Sequence, residues 1–305
     1  MAFAARTLAR PRELALSIPG WMRIGGSAWL GTRLALAATL IGAYCIGFYV
    51  HLHLSFDRWD TTWYLAIAQH GYADPRTPNF FPLFPILEAG IGRVLAGGHY
   101  PPHRYLLGAG LGITAIATFV AFCALAALVE LEEDARTAAA AVRLLAAYPL
   151  AMFLAVAYTD APFLAATLVF FLCVRTRRWT AAALAGLAAG LLRPLAPVLA
   201  IAILAELAIE VALRRTDSAT IKGRLFASAG PLVGTGLFSG YLWWRFGDPL
   251  LFVHTQTHYW NHVAAWPWHT LADAVTKMLH PDVYLALDFS LVIAFGVLAV
   301  VMFAR

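Results

Sequence analysis

The residues best suited to chemistry stand where the chain is otherwise greasy. An almost unbroken apolar run over about 27–50 is followed by FDRWDTTWYLAIAQHGY (56–72), which sets Arg58, Trp59, Asp60, Tyr64, His70 and Tyr72 in one short stretch. A carboxylate at Asp60, held rigidly at a helix start, can take a proton from a hydroxyl as a general base. Asp60 also precedes TTWYLAIAQH, whose apolar residues recur at helical spacing, and Asp is a favoured N-cap. Capping explains the aspartate but leaves the aromatic collar around it unexplained. YTDAP (158–162) supplies a second carboxylate, Asp160, beside Tyr158 and just ahead of a proline suited to the first turn of a helix.

The cations have fewer ordinary explanations. Arg193 stands between ALAGLAAGLL and Pro194, where a charge costs several kcal/mol unless it snorkels or is paired. Its natural partners are a membrane carboxylate or a headgroup phosphate, which arginine grips through two hydrogen bonds. Arg245 and Asp248 in WWRFGDP fit either a tight turn or part of a lipid-phosphate site. His254, His258 and His262 recur at a spacing that could present metal ligands on one helical face. No ligand carboxylate adjoins that row, so the histidines read as interfacial and no metal or other cofactor is expected.

Composition decides what must hold these groups. The chain has 305 residues, 61% hydrophobic and 13% charged, about half the charge of a soluble domain, which carries roughly 25%. Several stretches reach the about 20 apolar residues needed to cross a hydrocarbon core. The sequence therefore predicts an all-α integral membrane protein, a polytopic helical bundle. Cys45, Cys123 and Cys173 lie in apolar runs without C-x-x-C spacing and read as small core residues, with no disulfide expected. The net charge of +5 needs no nucleic-acid partner, because Lys and Arg collect in cytoplasmic loops. The basic N-terminus (1–27) leads into a run too long for a signal peptide, and so into a retained first span.

Candidate spans lie at about 28–50, 104–129, 137–157, 161–175, 179–192, 195–213, 226–244 and 283–303. The stretch 80–98 is ambiguous. If it stays at the interface, the basic N-terminus, RTRR (175–178) and RRTDSATIKGR (214–224) share one side, as the positive-inside rule requires. Pro82, Pro85, Glu88 and Arg93 also make it a poor lipid-exposed span. The expectation is thus about eight spans with both termini inside. A first outer loop (51–103) with interfacial helices and a last outer loop (245–281) then face outward, and Gln256 and Trp260 in the latter join the candidate substrate contacts.

Taken together, RWDTTWYLAIAQHGY, FFPLFPIL, YPLAMFLAVAYTDAPF, LLRPLAPVL and YLWWRFGDPLLF resemble, in order and spacing, the bacterial relatives of the PIG-V family of GPI mannosyltransferases. The resemblance covers about residues 30–262. It implies a glycosyltransferase of fold type C, with interfacial helices in the first outer loop and a donor that is a polyprenyl-phosphate sugar. Asp60 would be the general base, and Asp160 and Arg193 would match the family's second acidic position and its Arg-Pro. The implied reaction is an inverting transfer of mannose to a glycan or glycolipid acceptor on the extracytoplasmic face of the cell membrane, the multi-pass chain being bedded in the lipid bilayer. Family members continue past the point where this chain ends in VVMFAR, so a short variant or a fragment is expected. Two other classes stay open. A transporter or flippase of lipid-linked sugars would need polar residues deep in several spans, against which the uniform Ala, Leu and Val of these spans argue. A non-catalytic scaffold descended from such enzymes is favoured by the missing tail.

Overall fold

The computed structural model describes residues 18–46 and 56–260, with 265, 266, 268, 269, 272 and 276. Among them there is no strand. Ten α-helices run α1 Gly20–Cys45, α2 Asp60–His70, α3 Leu83–Leu95, α4 His103–Glu132, α5 Ala135–Ala147, α6 Asp160–Arg175, α7 Trp179–Gly190, α8 Pro197–Ala212, α9 Ser218–Phe246 and α10 Leu251–Trp260. The candidate span 283–303, residues 47–55, and His51, His53, His262 and His280 lie outside the described residues.

Three helices, α1, α4 and α9, are long and apolar enough to cross a membrane. At 1.5 Å per residue the 30 residues of α4 reach about 45 Å. Leu34, Ile41, Ile116, Leu184 and Ile201 are each more than half exposed, a surface that lipid satisfies and water does not. The chain is a helical membrane protein. α6, α7 and α8 have 16, 12 and 16 residues, about 18–24 Å, shorter than a bilayer's hydrocarbon core of about 30 Å.

Several boundaries differ from expectation. α1 begins at Gly20, so Trp21 and Arg23 are helical rather than part of a separate N-terminal stretch. The apolar run of α1 is also interrupted by Arg33, whose Nη2 donates to the Leu154 carbonyl at 3.1 Å. The span expected at 137–157 is not one helix. α5 stops at Ala147 and a 3-10 turn follows over Pro149–Leu154, because a residue ahead of proline disfavours the helical conformation. Cys45 is exposed, unlike buried Cys123 and Cys173. α3 has 13 residues, about 20 Å, too short to cross.

Two packing devices place the helix ends that matter. The faces of α7 and α9 meet through Gly186, Gly190, Gly230 and Gly234, spaced as small-xxx-small on both helices. A β-carbon on Gly234 would come within 2.9 Å of the Gly190 α-carbon, so only glycine admits this approach. A cluster of Phe170, Cys173 and Val174 on α6 with Ala182, Ala189, Leu199 and Ile203 then binds α6, α7 and α8 together. On the other flank Phe122 and Ala126 of α4 pack with Val142, Leu154 and Ala161, against Trp21 and Trp29 of α1. The start of α6 and the α7–α8 turn are thereby brought to one place, and a Tyr64–Thr159 hydrogen bond ties α2 to them.

The chain divides into units 1–253 and 254–305. In the second, Trp266 and Trp268 stack with centroids 5.0 Å apart.

Candidate functional site

Thr159 is the hub of the site. It sits just before α6, only 1% exposed, and its hydroxyl shares a 2.9 Å hydrogen bond with the Tyr64 hydroxyl from α2. The same oxygen accepts from Arg193 Nε at 3.0 Å. Arg193 lies in the α7–α8 turn, and its Nη2 donates to Asp160 Oδ2 at 2.6 Å. Of the two partners the sequence left open for Arg193, this geometry supplies the carboxylate. The pair is partly open, with side chains 29% and 31% exposed.

Asp60 faces this group from the first turn of α2. The sequence expects it to be an N-cap, but the flanking residue is Trp59, and no side chain caps the helix. Trp59 itself has φ 51°, a left-handed conformation that costs a non-glycine residue free energy and turns the chain sharply into α2. The Asp60 carboxyl is thus spared a capping role. Burial raises its proton affinity above the ordinary carboxylate range, the negative charge of Asp160 raises it further, and Arg193 opposes both. Behind it Tyr158 is buried, its hydroxyl donating to the Arg58 carbonyl at 3.4 Å. Burial, with Asp60's charge next, pushes that phenol up to about 12, so Tyr158 stays a neutral donor.

The second layer is aromatic and fixed. Tyr64 meets the edges of Phe80 and Phe84 at 5.2 and 5.1 Å. The Leu83 amide donates to the Leu191 carbonyl at 3.0 Å, tying α3 to the turn that carries Arg193. Beside that tie lies an apolar cavity of about 400 Å³ lined by Ile67, Pro85, Ile86, Leu191, Leu237 and Phe238.

Other expected members of the site within residues 1–253 lie apart. His70 is exposed at the far end of α2, about 15 Å along the helix from Asp60. Trp59 is 70% exposed. Tyr72 donates its hydroxyl to the Phe80 carbonyl at 2.8 Å and packs on Phe238 and Tyr241, a structural position on the wall of the apolar cavity. Arg245 is exposed over the Phe246 ring and makes no ion pair with a described residue. Asp248 accepts from the Leu250 amide at 2.9 Å, the tight turn that its sequence allows. Gln256 and Trp260 fall in the second unit, on α10. No cluster of three or more metal-binding side chains occurs among the described residues.

Two residues escaped the sequence reading of the site. Thr159 was visible only as a hydroxyl between Tyr158 and Asp160. Glu88 on α3 is fully buried, and neither carboxyl oxygen has a partner among the described residues. It lies one helical turn from Phe84 and against Gly110 of α4, and burial holds its proton affinity well above the ordinary range. The signal was there, in a lone carboxylate within FFPLFPILEAGIG. No family model, no curated protein and no solved structure matches this chain.

Proposed function

We propose that this chain is an integral-membrane glycosyltransferase that moves a sugar, mannose by resemblance, from a polyprenyl-phosphate donor to an acceptor hydroxyl on the outer face. The observation that carries the reading is the convergence of Asp60, Tyr158, Asp160 and Arg193, drawn from three distant segments, in one partly open group of coupled charges and a hydroxyl. Such a group has the parts an inverting transfer needs. Asp60, whose proton affinity burial and Asp160 raise above the ordinary aspartate range, accepts the proton of the acceptor hydroxyl. That oxygen bonds to the anomeric carbon as the carbon–oxygen bond to the phosphate breaks, and the bonding pair leaves with the polyprenyl phosphate. Arg193 meets negative charge growing on that phosphate, the kind of electrostatic contribution that is usually largest. The apolar cavity beside Leu191 suits an isoprenoid chain. A multi-span, type C arrangement with the site outside accords with the basic loops near 175–178 and 214–224 lying on one side.

The test is transfer itself. Purified protein in lipid vesicles, given polyprenyl-phosphate mannose carrying isotope in the sugar, should move label into glycan or glycolipid acceptors with inverted anomeric configuration. Retention of all label in the donor across a panel of such acceptors contradicts the proposal.

A further inference from the structure

A second polar site lies at the other ends of α6 and α9. A cavity of about 580 Å³ opens there, among the α6–α7 turn, the end of α8 and the start of α9. Five of its lining residues are arginines, against only Glu210 and Asp217 as lining acids. Arg175 is occupied by Glu206 and Glu132. Arg177, Arg214 and Arg215 form no ion pair with any described residue, so the excess positive charge belongs to them. Asp217, whose carboxylate caps α9 by accepting from the Thr220 amide at 2.8 Å, lies in the field of Arg177 and offsets one of these three charges.

The buried wall of this cavity is short of acceptors. Arg224 is nine-tenths buried, and its Nη2 donates to Glu210 at 3.0 Å. Its Nε and Nη1 are shielded from solvent without a partner among the described residues, as is the hydroxyl of Thr216. Roughly nine in ten buried polar groups are satisfied in folded proteins. A guanidinium can only donate, so what is missing beside Arg224 is an acceptor. The N-terminus of the 29-residue α9 adds its positive end to the same wall.

We propose that this cavity binds a phosphate-bearing ligand, a phosphomonoester or diphosphate group. Phosphate brings several acceptors and negative charge, and arginine is the side chain best matched to it. The volume exceeds that of one inorganic phosphate and falls within the range of small-ligand sites. The group can come from a lipid headgroup or from a soluble diphosphate. The inference is independent of the transferase reading, since it uses none of Asp60, Asp160 or Arg193.

Two binding arms distinguish the sources. In the first, the full chain in detergent is titrated with inorganic pyrophosphate. In the second, the chain in phosphatidylcholine nanodiscs is titrated with short-chain phosphatidic acid. Saturable binding is expected in at least one arm, and the arm in which it occurs names the source. Arg177→Gln with Arg215→Gln, both on exposed side chains, should weaken it at least about tenfold. The control Arg136→Gln with Arg143→Gln removes the same charge from α5 and should leave it unchanged. No saturable binding in either arm overturns the site. Equal loss in the control also overturns it, because the attraction is then diffuse charge.

Discussion

Replacing Arg193 with lysine isolates its fork from its charge. Arg193 bonds Asp160 and Thr159 from two different nitrogens, at 2.6 and 3.0 Å. Lysine carries one nitrogen and can keep the carboxylate, but it cannot also reach the Thr159 hydroxyl from the Nε position. A hydrogen bond involving a charged group contributes about 1.5–3 kcal/mol. The side chain is about three-tenths exposed, so the low end applies, and about 1.5 kcal/mol corresponds to roughly a tenfold loss. The assay is initial-rate transfer from the proposed donor in vesicles, with protein amount and thermal unfolding measured alongside. Arg193→Lys should lose up to about 1.5 kcal/mol of unfolding stability with the Thr159 bond of the folded protein. It should also lose about tenfold in kcat/KM, because one nitrogen cannot reproduce the fork towards the donor phosphate. Arg193→Gln, which leaves Asp160 without its cation, should lose more. Unchanged kinetics in Arg193→Lys would remove the fork from the argument and leave Arg193 a membrane anchor.

Asp160→Asn removes a charge that raises Asp60's proton affinity, so the acid limb of kcat/KM against pH should move to lower pH, while Arg193→Gln should move it up. Limbs that do not move, or move in the opposite sense, would contradict the shared field. Burial raises the proton affinity of Glu88 in the folded protein, so between its unfolded value of about 4.3 and its higher folded value it costs stability as pH rises. Glu88→Gln should remove that slope, about 1.4 kcal/mol per pH unit at most, and thermal unfolding from pH 5 to 7 would record it. A parent protein whose unfolding is flat over that range would show the carboxyl to be ionised or hydrated. Gly234→Ala forces a β-carbon against the α7 backbone and should cost about 1–3 kcal/mol in unfolding, while Gly236→Ala, with open space around it, should be silent. Equal unfolding temperatures for both would remove the close α7–α9 approach.

The sequence carried the type of each site residue better than its company. Asp60, Asp160 and Arg193 were legible because each charge interrupts apolar text. Their meeting was not, since positions 60, 160 and 193 are joined only by the packing of α2, α6 and the α7–α8 turn. The cap assignment for Asp60 failed because Trp59 takes a left-handed turn that one-dimensional spacing does not encode. True caps do occur at Asp134 and Asp217, where threonine follows three residues later. The expected span at 137–157 ignored Pro149, which ends α5 early. Arg33 vanished into the average of its apolar window, although it carries one of the few side-chain bonds from α1 to a distant segment. Asp248 takes the tight turn its sequence allows, and Tyr72 stands on the wall of the apolar cavity, away from the charged group.

The central claim is that Asp60 takes the acceptor's proton, and Asp60→Asn tests it most directly. Asparagine keeps the side chain's size, and no cap bond is lost, because Asp60 makes none. What disappears is the basic oxygen, and with it the about 10²–10⁴-fold that general-base help contributes. Transfer from polyprenyl-phosphate mannose should fall by at least about 10²-fold in Asp60→Asn, with protein amount and unfolding temperature unchanged. Turnover near that of the parent would contradict the account and leave Asp60 as a charge at the start of α2.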